Sequence, residues 1–302
     1  MAVAIAVGFA GVGLGDSGIK FNENVKLIFG EDYPSISIYI NGTQVSSLGY
    51  GEIFLMDDIV EYPYSIYYSN LKSQGWDITR KNTSYGYIVE YTATIDMVSI
   101  GLGYGHGYEE HYIRDWGEVQ ITFHVENRIF EKYGKEINGS KAIVIDIEIT
   151  PLKTVEKKYI VLISDFWLSG GENYGISSDN IRMKLKRGEM FKCEVHGDYI
   201  NLDSEESNIS YGWSSKFSVD SEISQLDVYY SFITYPTMFF VYSYGKIYHD
   251  PELYLPVSIF KSLEKLGEEV VKNIQEYIQY FIAGVGIGMV LIVVGGVITR
   301  KK

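Results

Sequence analysis

The chain has 302 residues, a formal net charge of −13 and a single cysteine, Cys193. That length holds one large or two ordinary domains. The acidic balance argues against nucleic acid as a partner, because it repels phosphate backbones, and a lone cysteine excludes a disulfide-stapled mini-domain. Aromatic residues make up 15% of the chain, with 27 Tyr, against 22% charged. Together with many Ile, Val, Ser and Thr, this composition suits pleated, half-buried surfaces and predicts a mainly β protein.

Residues 2–14 (AVAIAVGFAGVGL) are uncharged and apolar. They are too few to span a bilayer and match the apolar region of a signal peptide, with Gly8 and Ala10 as small residues for cleavage. No Lys or Arg precedes them. Residues 1–15 are therefore expected to be a signal peptide or an apolar N-terminal segment. A buried first strand and a lipid-inserting segment of the kind found in viral fusion subunits are the other readings.

From residue 25 to about 250, short apolar runs alternate with period two and are broken by Gly, Asn, Asp and Pro. Residues 35–40 (SISIYI) end at the turn dipeptide Asn41-Gly42, and 142–150 (AIVIDIEIT) follow a second one, Asn138-Gly139. Long strands are expected over 85–97 and 118–130, and a strand covered on both faces over 158–167. The series continues through 181–186, 190–196, 226–235 and 238–244, with no helix before 250. The expected body, residues 20–250, is a large antiparallel β-sandwich. It is one continuous unit or two tandem sandwiches divided near residue 150.

Asp250-Pro251-Glu252 has the form of a helix start, and Ile259, Leu263, Leu266, Val270 and Ile274 fall on one helical face. Residues 251–279 are thus expected to be an amphipathic juxtamembrane helix. Residues 280–298 (YFIAGVGIGMVLIVVGGVI) carry no charge, and Arg300, Lys301 and Lys302 follow almost at once. Nineteen helical residues cover roughly 28 Å, close to the ~30 Å hydrocarbon core. Basic residues favour the cytoplasmic side. The expected topology is a single transmembrane helix over 280–299, a basic cytoplasmic tail of 300–302, and everything before it outside a cell membrane or viral envelope. Gly284 and Gly288 form a GxxxG spacing, which permits homo-oligomerisation through the transmembrane or juxtamembrane helix.

Four Asn-x-Ser/Thr sequons, at Asn41, Asn82, Asn138 and Asn208, are candidate glycosylation sites that suit an external body. The densest polar stretch, 101–118, offers Tyr104, Tyr108, Tyr112 and Trp116 as an aromatic binding surface, since sugar rings stack on such side chains. His106, Glu110 and His111 in the same stretch have ligand chemistry, but their spacing fits no metal motif, so no metal site and no cofactor is expected. No nucleophile elbow or phosphate loop is present. The expectation is a surface protein with a structural, adhesive or glycan- or protein-binding role, its partners being the bilayer and glycans or other surface proteins. A carbohydrate-active ectoenzyme and a viral-type spike or fusion protein are the alternatives.

Overall fold

The computed structural model describes residues 18–20, 25–58, 65–101, 111–170, 173–178, 181–190, 195–205 and 207–255. The first strands are β1 (Gly18–Lys20), β2 (Val25–Phe29), β3 (Ser35–Ile40), β4 (Thr43–Met56), β5 (Ser65–Asn70), β6 (Asp77–Thr83), β7 (Gly86–Gly101) and β8 (Tyr112–Glu126). Next come β9 (Ile129–Lys132), β10 (Lys135–Asn138), β11 (Ala142–Pro151), β12 (Tyr159–Leu168), β13 (Tyr174–Ser178) and β14 (Ile181–Lys184). The last are β15 (Tyr199–Ser204), β16 (Ser210–Ser214), β17 (Lys216–Val219), β18 (Glu222–Gln225), β19 (Asp227–Phe232), β20 (Pro236–Ser243), β21 (Ile247–His249) and β22 (Glu252–Tyr254). The protein is mainly β, as its composition predicts. One 3-10 turn, Leu71–Ser73, is the only helical element among the described residues.

The strands pair antiparallel in two runs. One runs β1–β2–β3–β4–β12–β20–β19. The other runs β6–β7–β8–β11, continues through β22 to β16, β15, β13 and β14, and carries β17 and β18 on β21. β5 pairs with both β4 and β7 and so joins the runs. Their apolar faces meet across one core. Phe29 of β2 lies 5.6 Å edge-on from Phe123 of β8, Phe240 of β20 lies 5.4 Å from Trp213 of β16, and Tyr174 of β13 lies 5.3 Å from Phe232 of β19. Tyrosine hydroxyls buried there find partners, as they must. Tyr50 and Tyr211 share a 3.0 Å hydrogen bond, and Tyr91 donates to the Gly30 carbonyl at 2.7 Å.

Alternation decides which side chains face that core. Ile143, Ile145, Ile147 and Ile149 of β11 all point inward, while Val144, Asp146 and Glu148 take the opposite face. The residue 150 region is laddered on both sides: β11 pairs with β8 before it and with β21 and β22 after it. Among the described residues, three tight hairpins have positive φ at both central residues, the geometry that matches strand twist. Asn41-Gly42 is the one that the sequence announces; Tyr133-Gly134 and Asp220-Ser221 are the others.

Two expectations are corrected here. The strand expected over 118–130 is two strands. The chain leaves the sheet at Asn127-Arg128, where Arg128 N–H donates back to the Glu126 carbonyl, and β9 and β10 form a separate hairpin. The helix expected to start at 251 does not start there. β21 and β22 hold a single register on β11, Ile147 opposite His249 and Val144 opposite Glu252, so Glu252–Tyr254 is strand. Pro251 is tolerated because its missing N–H falls at the gap between β21 and β22, while its carbonyl accepts from Ile145 N–H. The rest of the juxtamembrane segment, residues 280–299 with Gly284 and Gly288, and residues 1–15 lie outside the described residues. No helix among the described residues is long and apolar enough to cross a membrane.

Candidate functional site

The chemistry gathers on the outer face of β8, β11, β21 and β22, beneath the β9–β10 hairpin. Phe130 and Ile137 of the hairpin close over Ala142 and Val144, with Tyr254 packed against them. This small apolar seal covers a line of charges. Arg128 pairs with Glu126 at 3.1 Å, and the same Glu126 oxygen lies 3.1 Å from His124 Nδ1. His124 Nε2 lies 2.9 Å from Asp146, whose other oxygen accepts from Lys132 Nζ at 2.9 Å. Lys132 also reaches Asp250 at 3.2 Å and the Tyr248 hydroxyl at 2.6 Å, so its three protons have three acceptors.

The register explains why Lys132 is needed. It sets Asp146 opposite Asp250, and Lys132 between them answers the charge of Asp146 and the repulsion that arises whenever Asp250 also ionises. Burial opposes the charge of His124, but hydrogen bonds to Asp146 and Glu126 more than compensate and raise its pKa. The imidazolium, with both ring nitrogens donating, satisfies both carboxylates. Burial also opposes ionisation of Asp146, yet His124 and Lys132 hold its pKa well below the usual carboxylate range.

Next to this line lies a cavity of about 260 Å³ between the Tyr133-Gly134 turn and β15, β16 and β22. Lys132, Tyr133, Lys135, Tyr199, Asp250 and Glu252 face it, with Asp198 and Lys216 paired at 3.1 Å on its edge. Burial pushes Asp250 up to about 7; Lys132 opposes the shift and Asp146 adds to it. Burial pushes Glu252 up to about 8 against the hydrogen bond from Tyr199, which donates at 2.7 Å. Lys135 Nζ stands 2.8 Å above the Tyr199 ring, and burial lowers its pKa. Tyr199 reaches Glu252 by crossing Gly212, where a Cβ would collide with its hydroxyl and ring.

Tyr133 is unusual in this position. Its φ of 47° is one that bulky residues rarely adopt. Its hydroxyl donates 2.7 Å to the Tyr248 carbonyl and ties the turn to the sheet. Such strain persists where the surroundings fix it and clusters at functional sites.

The residues marked in the sequence lie elsewhere. Asn41, Asn82, Asn138 and Asn208 are all solvent-exposed. Asn138 caps its own turn by accepting from Ser140 N–H at 2.9 Å, and Asn41 occupies the hairpin turn. Tyr112 is 62% exposed at the start of β8. Trp116 is no surface residue, which corrects the expected aromatic patch. A bulge at Asp115, with φ 47°, turns the indole inward, where its N–H donates 3.2 Å to the Tyr244 hydroxyl. His111 is exposed. Tyr104, Tyr108, His106, Glu110 and Cys193 lie outside the described residues. Among the described residues no three His, Cys, Asp or Glu side chains are grouped to hold a metal ion.

None of the residues around the cavity stands out in sequence, because β8, the hairpin, β11 and β21–β22 are brought together only by long-range pairing. One signal was present. Residues 247–255 (IYHDPELYL) alternate strictly, with Tyr248, Asp250, Glu252 and Tyr254 on one side, which is a strand pattern rather than a helical one. No family model matches the chain, and no curated protein matches it. The site is therefore read from its own chemistry.

Proposed function

We propose that this chain is a membrane-anchored, extracytoplasmic β-sandwich protein whose body binds glycans or other surface proteins. One observation carries the anchoring: nineteen uncharged residues, 280–298, run into Arg300, Lys301 and Lys302. Exposure of all four sequon asparagines supports an external body, since a glycan acceptor must be reachable. An amphipathic segment before the span links body and anchor. Alkaline extraction of membranes followed by protease shaving of intact cells tests the placement. Full-length chain should stay with the membranes and lose its body to external protease. Recovery in the aqueous fraction without detergent would sink the proposal.

A second reading, a carbohydrate-active ectoenzyme, is favoured by Asp250 and Glu252. They sit two residues apart on the lining of one cavity, and burial raises the pKa of both, the direction a general acid needs. Release of reducing ends from oligosaccharides by the purified chain, abolished in Glu252→Gln, would select it over simple binding.

A further inference from the structure

The cavity under the hairpin tip offers both halves of a hydrogen-bonding vocabulary in a small space. Lys132 is spent, its three protons going to Asp146, Tyr248 and Asp250. Lys135 makes no ion pair among the described residues and keeps ammonium donors over the Tyr199 ring. The Tyr199 hydroxyl takes Oε2 of Glu252. The Glu252 and Asp250 carboxyls complete the polar lining, and Tyr133 lines the cavity beside them.

Each simple ligand class can be weighed against this lining. A phosphate or sulfate would face Asp198, Asp250 and Glu252. A divalent cation would face Lys132, Lys135 and Lys216. An apolar ligand would desolvate buried carboxyls without replacing their partners. A hydroxyl both donates and accepts, so neighbouring hydroxyls can bridge an ammonium and a carboxyl without adding charge. The volume, about 260 Å³, falls just below the usual range for drug-sized ligands and fits one ring rather than a chain.

We infer that the cavity lined by Lys135, Tyr133, Tyr199, Asp250 and Glu252 is a seat for one neutral sugar residue. Adjacent hydroxyls of the sugar bridge Lys135 and Glu252, with the Tyr133 side chain lining the seat beside them. This deepens the surface-binding reading and rests on it for the source of the sugar, a glycan of the surroundings. The contact itself does not depend on where the chain resides.

The test is saturation-transfer NMR and calorimetry on the full chain in a detergent free of sugar and phosphate. The probes are neutral pentoses, hexoses, N-acetylhexosamines and their dimers, with inorganic phosphate and glycine as charged comparators. At least one neutral sugar should bind saturably. Lys135→Met should weaken it tenfold or more, with melting confirming that the variant is folded. Wild-type affinity should fall severalfold between pH 7 and 9 as Asp250 and Glu252 lose their protons, and Glu252→Gln should show a smaller fall. This second signature stands even if Lys135→Met does not fold. The inference is overturned if no neutral sugar in the panel binds the folded chain, if phosphate or glycine binds in their place, or if binding ignores both variants. Failure of membrane placement would leave these titrations unchanged, and their failure would leave the anchoring intact.

Discussion

The two faces of β11 bury their side chains by opposite means. Inward, Ile143 to Ile149 join aromatic rings in a closed apolar core. Outward, Asp146 is covered by a hairpin and held by His124 and Lys132. The first face needs only shape and apolar area, and any partner strand with the same alternation can supply it. The second needs named partners at fixed distances, because removing one leaves a half-buried charge without its counter-charge. Robustness belongs to the inner face and specificity to the outer one.

This difference sets an order of sensitivities. Trp213→Ala, on β16 in the apolar core that the inner face of β11 joins, should cost the most, roughly 3–5 kcal/mol, as large aromatic truncations in packed cores do. Chemical denaturation of the full chain would measure it. Lys132→Met should come next, at about 3 kcal/mol, because it takes the ammonium partner from Asp146 and the donor from Asp250 and leaves Asp146 on His124 alone. If it costs less than about 0.5 kcal/mol, the outer line of charges is ornamental and the contrast between faces fails. Lys246→Ala removes a 2.6 Å pair with Glu148 on the same face but outside the hairpin's cover. It should change stability by less than about 1 kcal/mol, as exposed pairs do.

The sequence announced the inner face and not the outer one, for the same physical reason. Alternation in AIVIDIEIT marks one buried side whatever packs on it, so the antiparallel class, the Asn41-Gly42 hairpin and most strands were legible. The outer site depends on Asp146 meeting Lys132 and Asp250, and no local pattern records a cross-strand register. Asp250-Pro251-Glu252 has the residue types of a helix start, but the alternation of residues 247–255 around it is that of a strand. Trp116 was misplaced because a single bulge at Asp115 exchanges the two faces of a strand.

The outer face should also give stability a particular pH dependence. Asp250 and Glu252 hold protons in the folded chain that the unfolded chain releases near pH 4. Their contribution is complete below that pH and is lost as pH rises through about 7 to 8. His124, raised by its carboxylates, is likewise lost on the alkaline side of its folded pKa. Asp146 and Glu126, both lowered, work in the other direction and lose their contribution as pH falls below about 4. His249 is buried and held down to about 3, so the folded chain also loses ground as pH falls from about 6.5 toward 3. Melting temperature should therefore peak in mildly acidic to neutral buffer and decline above it. Glu252→Gln should flatten the alkaline limb, so that the variant gains on the wild type as pH rises toward 9.

The central claim is that carboxyl groups stay protonated near neutrality beneath the hairpin. An infrared titration of the full chain, following the carbonyl band of protonated carboxylic acids, reads this directly. The account predicts a protonated band that persists at pH 6, disappears between about pH 7 and 8, and loses its later component in Glu252→Gln. Complete loss of the band below pH 5, unchanged by that substitution, would contradict it.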